Sequence, residues 1–167
     1  MFRLAVFTDT YDDVNGVSVI YHNLVRAAGR APGDSGWIAV FCPGDATAVE
    51  NKDDRLKAFC SMTIDRLDRA TVFRYRPRPR MTVPRYPQQK IGWVRRGQVE
   101  RDFADGGFDA VLVADPAPLG LVGRDLARRH GLPLIGFYHT RFPVYLAVYT
   151  RGMVRSEHAA EAAEALG

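Results

Sequence analysis

Short unbroken apolar runs alternate along this chain with segments of helical period. Leu4-Ala5-Val6-Phe7 is a continuous apolar stretch stopped by Thr8-Asp9-Thr10, which predicts a buried strand. Val17, Ile20, Tyr21, Leu24, Val25 and Ala28 then recur at the spacing of one helix face, ended near Gly29 by Ala31-Pro32-Gly33. Trp37-Ile38-Ala39-Val40-Phe41 is a second strand, closed by Pro43-Gly44. Strand, helix and strand in this rhythm predict a βαβ unit and a parallel sheet.

Residues 45–71 carry a weaker pattern. Asp53-Asp54-Arg55 and Asp65-Arg66-Leu67-Asp68-Arg69 suggest a solvated stretch with some helix, and Thr71-Val72-Phe73-Arg74-Tyr75 alternates as a strand. Pro77, Pro79, Pro84 and Pro87 forbid helix from 77 to 87, which reads as an extended loop. A helix is predicted from Gln88 to Ala104, with Ile91, Val94, Val99 and Phe103 on one broad face and Trp93 outside it. Gly92 and Gly97 weaken that helix. Ala110-Val111-Leu112-Val113-Ala114 is a strand, Leu119 to His130 a helix closed by Gly131, and Leu134-Ile135-Gly136-Phe137-Tyr138 a further strand. An amphipathic segment follows from Val144, and Glu157 to Leu166 is an Ala-rich helix. No repeat or linker divides the chain. The expectation is one Rossmann-like α/β domain over 1–167 with a mostly parallel sheet, 45–71 as an ill-matched insert and 151–167 as a helical tail.

Composition narrows the class. With 167 residues, 47% hydrophobic and 25% charged, the chain has ordinary globular usage, which excludes disorder and fibrous architecture. No apolar run approaches the ~18 residues of a membrane span. The N-terminus meets Asp9 before a signal-peptide core develops, so the expected location is cytoplasmic, or peripheral at the inner face of a membrane. Cys42 and Cys60 are too far apart for a metal knuckle or a redox pair and read as small buried hydrophobes. The net charge of +4 hides an asymmetry, because nine basic residues and one acid between Arg74 and Arg101 carry +8. Such a segment, with an exposed Trp93 and Arg78, Arg80, Arg95 and Arg96, suits an anionic lipid surface or an acidic acceptor. It equally suits a plain solvated face. Nucleic acid is disfavoured, since no stacking-aromatic module accompanies the charge.

Ligands of open parallel sheets gather at the carboxyl ends of the strands. Three loops fall there: Thr8-Asp9-Thr10 through Asn15-Gly16, Asp115-Pro116-Ala117-Pro118, and His139-Thr140-Arg141. Asn15-Gly16 is either a turn with a helix cap or a place where a phosphate approaches free N–H groups. Asp9 either holds sugar hydroxyls or stabilises its turn. His139 is either a structural residue or a group able to donate to a substrate oxygen. His22, His130 and His158 read as surface residues. The dinucleotide fingerprint, the P-loop and the Gly-x-Ser-x-Gly motif are absent, and the acids form no metal box.

At these loops the chain resembles the N-terminal, acceptor-side domain of family 4 glycosyltransferases, in particular bacterial mannosyltransferase-like members. The likeness is carried by Phe7-Thr8-Asp9-Thr10-Tyr11 with Val14-Asn15-Gly16-Val17, and by Asp109-Ala110-Val111 through Pro116-Ala117-Pro118-Leu119-Gly120. It continues from Gly131-Leu132-Pro133 through Tyr138-His139-Thr140-Arg141-Phe142-Pro143-Val144-Tyr145-Leu146.

The resemblance implies one half of a GT-B fold. It also implies retaining transfer of a hexose from a nucleotide-sugar, such as GDP-mannose or UDP-glucose, to a lipid or glycan acceptor without a bound metal or cofactor. Gly16, with Asn15, would then meet the donor diphosphate, and His139 would act beside the transferred sugar. Asp9, Thr10, Thr140 and Arg141 would line the acceptor side.

Two departures stand out. Arg141 occupies a position where relatives often carry Asp or Asn. The family's E-x7-E pair, which belongs to the donor-binding C-terminal half, is missing; Glu157 and Glu164 fall one residue short of that spacing. The implied partner is a complementary half. The alternative is an orphan or truncated domain that keeps the fold without transferring sugar alone.

Overall fold

The computed structural model describes residues 1–13, 15–31, 36–44, 62–67, 69–83 and 86–137. Eight strands and three helices occur among them: β1 (Phe2–Phe7), α1 (Gly16–Arg30), β2 (Gly36–Pro43), β3 (Met62–Leu67), β4 (Ala70–Tyr75), β5 (Arg80–Val83), β6 (Tyr86–Gly92), α2 (Arg96–Gly106), β7 (Ala110–Val113), α3 (Pro118–His130) and β8 (Leu134–Gly136). Six strands form one sheet in the order β3-β4-β2-β1-β7-β8. Only β3 runs antiparallel; the other five are parallel, as the α/β expectation required.

The apolar runs are continuous because the central strands are covered on both faces. Ala5, Val6 and Phe7 of β1 are wholly buried, as are Ala39, Val40 and Phe41 of β2. Alternate residues feed two separate cores. Val6, Val40, Val72 and Leu112 pack with Tyr21 and Val25 of α1. Phe7, Phe41, Tyr75 and Val111 pack with Val99 and Phe103 of α2 and Leu119 and Leu126 of α3. The second core is aromatic, with Phe7 stacked on Phe41 at 4.6 Å and Phe41 on Phe73 at 4.9 Å between ring centroids. Helix α3 lies flush on the sheet because Gly120 and Gly123 carry no side chain. A Cβ at Gly120 would run into the Asp115 carbonyl, and one at Gly123 into the Phe7 ring.

Several expectations need correction. Residues 65–67 are strand, not helix: β3 pairs with β4 from Met62↔Tyr75 to Leu67↔Ala70. Asp65 and Arg66 disguised it, and an edge strand tolerates such charges. The segment read as extended loop and then as helix from Gln88 is instead a β5–β6 hairpin, and helix begins only at Arg96. Prolines are admissible there because both strands of a two-stranded sheet are edges. Gly92 also admits Pro77, whose Cβ would clash with any side chain at that position.

Ile20, assigned to the buried face of α1, is 44% exposed, whereas Val17, Leu24 and Ala28 pack against the core as predicted. His22 is half-buried rather than superficial. Its ring lies 4.1 Å from that of Tyr11, and Nε2 sits 3.1 Å from the Tyr11 carbonyl oxygen. His130 is exposed but meets Phe103 edge-on at 5.3 Å. Cys42 is buried as expected. Cys60, Tyr138, His158, the segment from Val144 and the tail 151–167 lie outside the described residues.

Candidate functional site

The strand order fixes where a ligand crevice can open. From β1 the chain winds through α1 to β2 on one side, and returns on the other side as β7. The connections diverge between the carboxyl ends of β1 and β7, and that divergence is the topological switch point of an open sheet. Thr8-Asp9-Thr10 follows β1 and Asp115-Pro116-Ala117 follows β7, so both loops meet there. Backbone bonds from Thr8 N to the Phe41 carbonyl (3.1 Å) and from Ala114 N to the Phe7 carbonyl (2.9 Å) hold the strand ends level.

Asp9 does not reach outward. It is 8% exposed, and its Oδ2 accepts hydrogen bonds from Leu119 N at 2.9 Å and Gly120 N at 3.1 Å, the first turn of α3. Its Oδ1 is buried and has no hydrogen-bond donor among the described residues. Asp115 Oδ2 accepts from Asp9 N at 3.2 Å and from Thr8 Oγ1 at 3.4 Å, while Oδ1 accepts from Ala117 N at 3.3 Å. Burial, and after it the charge of Asp115, push the Asp9 carboxyl well above the usual carboxylate range. Burial raises Asp115 as well, against the hydrogen bonds it accepts from Asp9 and Ala117. Two buried carboxyl groups side by side cannot both ionise cheaply, so the pair favours sharing a proton.

Helix α1 begins differently. Asn15 caps it by accepting from Ser18 N at 2.8 Å, and the Asn15 carbonyl accepts from Val19 N at 3.3 Å. Gly16 and Val17 stand in the first turn of the helix, where backbone N–H groups have no intrahelical acceptor. Gly16 is exposed, with open space where a Cβ would stand. The loop ahead of it is firmly held. Ser18 Oγ donates to the Tyr11 carbonyl at 2.7 Å, and Arg74 of β4 grips Asp12 through Nε at 2.7 Å and Nη2 at 3.1 Å. The Arg74 guanidinium also lies 5.6 Å from the centre of the Tyr11 ring. Thr10 N donates to Thr8 Oγ1 at 3.3 Å, which folds Thr10 back over the strand end.

Four of the residues singled out from sequence are therefore gathered or fixed here. Asp9 and Thr10 sit at the switch point, and Asn15 and Gly16 at the mouth of α1. Arg96 is redirected: it bonds Glu100 at 2.9 Å and Asp125 at 3.2 Å, joining α2 to α3, so it is committed within the domain. Arg78, Arg80, Trp93 and Arg95 are exposed around the hairpin. His139, Thr140 and Arg141 lie outside the described residues. Asp115, Arg74 and Ser18 were missed as individual residues. Only Asp115 carries a local signal, because β7 and β1 both reach an aspartate two positions beyond their last residue. Among the described residues no group of His, Cys, Asp and Glu could hold a metal ion, and no helix is long and apolar enough to cross a membrane.

This strand order, with two loops meeting at the switch point, defines a Rossmann-like α/β domain of the kind that forms half of a GT-B fold. More particularly, the chain belongs to Glycosyltransferase Family 4, whose family model matches residues 14–163. A search of curated proteins and a search of solved structures each returned no match.

Proposed function

We propose that this domain forms the acceptor side of a retaining hexosyltransferase. The hexose comes from a nucleotide-sugar of the GDP-mannose or UDP-glucose kind and passes to a lipid or glycan acceptor. The family match over residues 14–163 carries this reading, and the first-turn N–H groups at the mouth of α1 fit it. In it, Gly16 and Val17 donate to the donor diphosphate, where the positive end of the helix favours an anion. Thr10 and the rim of the Asp9 loop face the acceptor. His139 lies beside the transferred sugar, with Thr140 and Arg141 on the acceptor side. No metal is needed, because backbone N–H groups meet the phosphate charge.

Base and ribose recognition falls to a complementary half, on this polypeptide or another. Closure of the two halves excludes water and aligns donor with acceptor. Calorimetric titration with GDP-mannose and UDP-glucose, with and without a donor-binding half, tests this. Binding and turnover in the paired state support it. No response in either state makes the domain a non-catalytic one that keeps the fold alone.

A further inference from the structure

The loop ahead of α1 carries the wrong charge for an anion site. From Thr8 to Val25 the chain has three acids, Asp9, Asp12 and Asp13, and neither lysine nor arginine. Asp9 is buried at the switch point, where burial pushes its carboxyl toward the neutral form. Asp12 is exposed and stands four residues before Gly16, so its carboxylate opposes any anion arriving at the mouth of the helix. That charge is answered from outside the loop. Arg74 of β4, its side chain only 11% exposed, forks onto Asp12, with Nε 2.7 Å from Oδ2 and Nη2 3.1 Å from Oδ1. Room for the pair depends on Gly44, just past β2, because a Cβ there would stand 2.9 Å from both Arg74 Cδ and Asp12 Oδ2. The same guanidinium lies against the ring of Tyr11, whose carbonyl accepts from Ser18 Oγ in the first turn of α1. The ion pair and the helix mouth are thus braced as one piece.

We infer that Arg74 is a positioning residue for the mouth of α1, cancelling the Asp12 charge so that an anion can approach Gly16 and Val17. This rests on the diphosphate contact proposed for that turn, and Arg74 acts through Asp12 without touching substrate itself. Magnitudes favour a role in charge. A helix N-terminus offers roughly half a positive charge, which a full negative charge on Asp12 would more than offset. The bidentate fork holds the cation against that carboxylate, and the partial burial of Arg74 limits screening by salt. With the pair formed, the positive end of the helix is what an arriving phosphate meets.

The test is titration of the full chain with inorganic pyrophosphate at low ionic strength, followed through the amide resonances of Gly16 and Val17. The two halves of the ion pair should act in opposite directions. Arg74→Gln should weaken pyrophosphate binding about threefold, the scale of one unit charge nearby in a water-like medium, and Asp12→Asn should strengthen it by a similar factor. Arg74→Gln combined with Asp12→Asn should return close to wild type. Arg74→Lys keeps the charge but loses the fork, and should also stay near wild type. A pair that only held the loop in shape would weaken binding whichever partner is changed. Where Arg74→Gln fails to fold, Asp12→Asn still carries the sign. Weaker binding in Asp12→Asn, or Arg74→Lys as weak as Arg74→Gln, would overturn the inference while leaving the diphosphate contact standing. Amides of Gly16 and Val17 that ignore pyrophosphate in the wild type would overturn that contact, and this inference with it.

Discussion

Two helices start at the same edge of the sheet, and their N-termini are finished in opposite ways. The first turn of α3 is filled from within by the Asp9 carboxyl, which reaches across from the end of β1. The first turn of α1 is capped only by its own Asn15, and Gly16 beyond it faces open space. Both ends offer the same physics, unpaired N–H groups and a positive dipole. The fold uses one to seal the switch point and leaves the other at an exposed glycine. A helix N-terminus in such a sheet is therefore informative only once its internal acceptors have been counted.

The sharpest way to break this comparison is at the open end. Gly16→Val meets no protein atom and should leave the melting temperature nearly unchanged. It should also lower transfer in the paired enzyme by about 100-fold or more, the scale of removing an oxyanion-type donor. Unchanged turnover would show that the diphosphate does not approach there.

At the sealed end, Asp9→Ala strands the Leu119 and Gly120 N–H groups. It should destabilise the domain by about 1–3 kcal/mol in urea titrations, the penalty of unsatisfied buried donors. Asp9→Asn separates capping from charge, since the amide oxygen still accepts from α3. The native protein holds its Asp9 proton above the usual carboxylate range, so between about pH 4 and that raised value it binds more protons than the unfolded chain. Wild-type stability should thus fall as pH rises through this window, and Asp9→Asn should flatten the fall. A profile that rises instead would mean the pair is not sharing a proton.

Smaller effects follow around the open end. Asn15→Ala removes one cap bond and should cost about 1 kcal/mol. Arg74→Gln loosens the loop ahead of α1 through a part-exposed ion pair, for up to about 1 kcal/mol. A loss well beyond that would mean Arg74 supports the loop by more than this pair.

What could be read from the residues alone depended on whether burial or pairing decided the element. Strands β1, β2 and β7 are buried on both faces, so their apolar runs are unbroken and unmistakable. Helices α1 and α3 announce themselves by period and by the stops at Gly29 and Gly131. Strand β3 and the β5–β6 hairpin are edges, where Asp65, Arg66 and Pro87 are tolerated because a partner strand lies on one side only. The site divides in the same way. Thr8-Asp9-Thr10 and Asn15-Gly16 could be placed at strand ends by local pattern. That Asp9 caps a helix 110 residues away could not, because only the strand order brings β7 beside β1. The grip of Arg74 on Asp12 was hidden for the same reason, inside a segment whose charge looked uniform.

The order in which the sheet is assembled has a consequence for synthesis. Strand β1 leaves the ribosome before the other strands of its sheet, yet one of its two neighbours, β7, starts only at Ala110. Until then the nascent βαβ unit can pair β1 with β2 but keeps a raw, wholly apolar edge at Ala5, Val6 and Phe7. Unpaired apolar edges invite association with other chains. Asp9, just beyond that edge, also waits for α3 to emerge before its carboxyl finds the helix it caps. Pausing or truncation between residues 45 and 110 should therefore give aggregates rather than a smaller stable fold, which ribosome-bound chains of graded length would reveal.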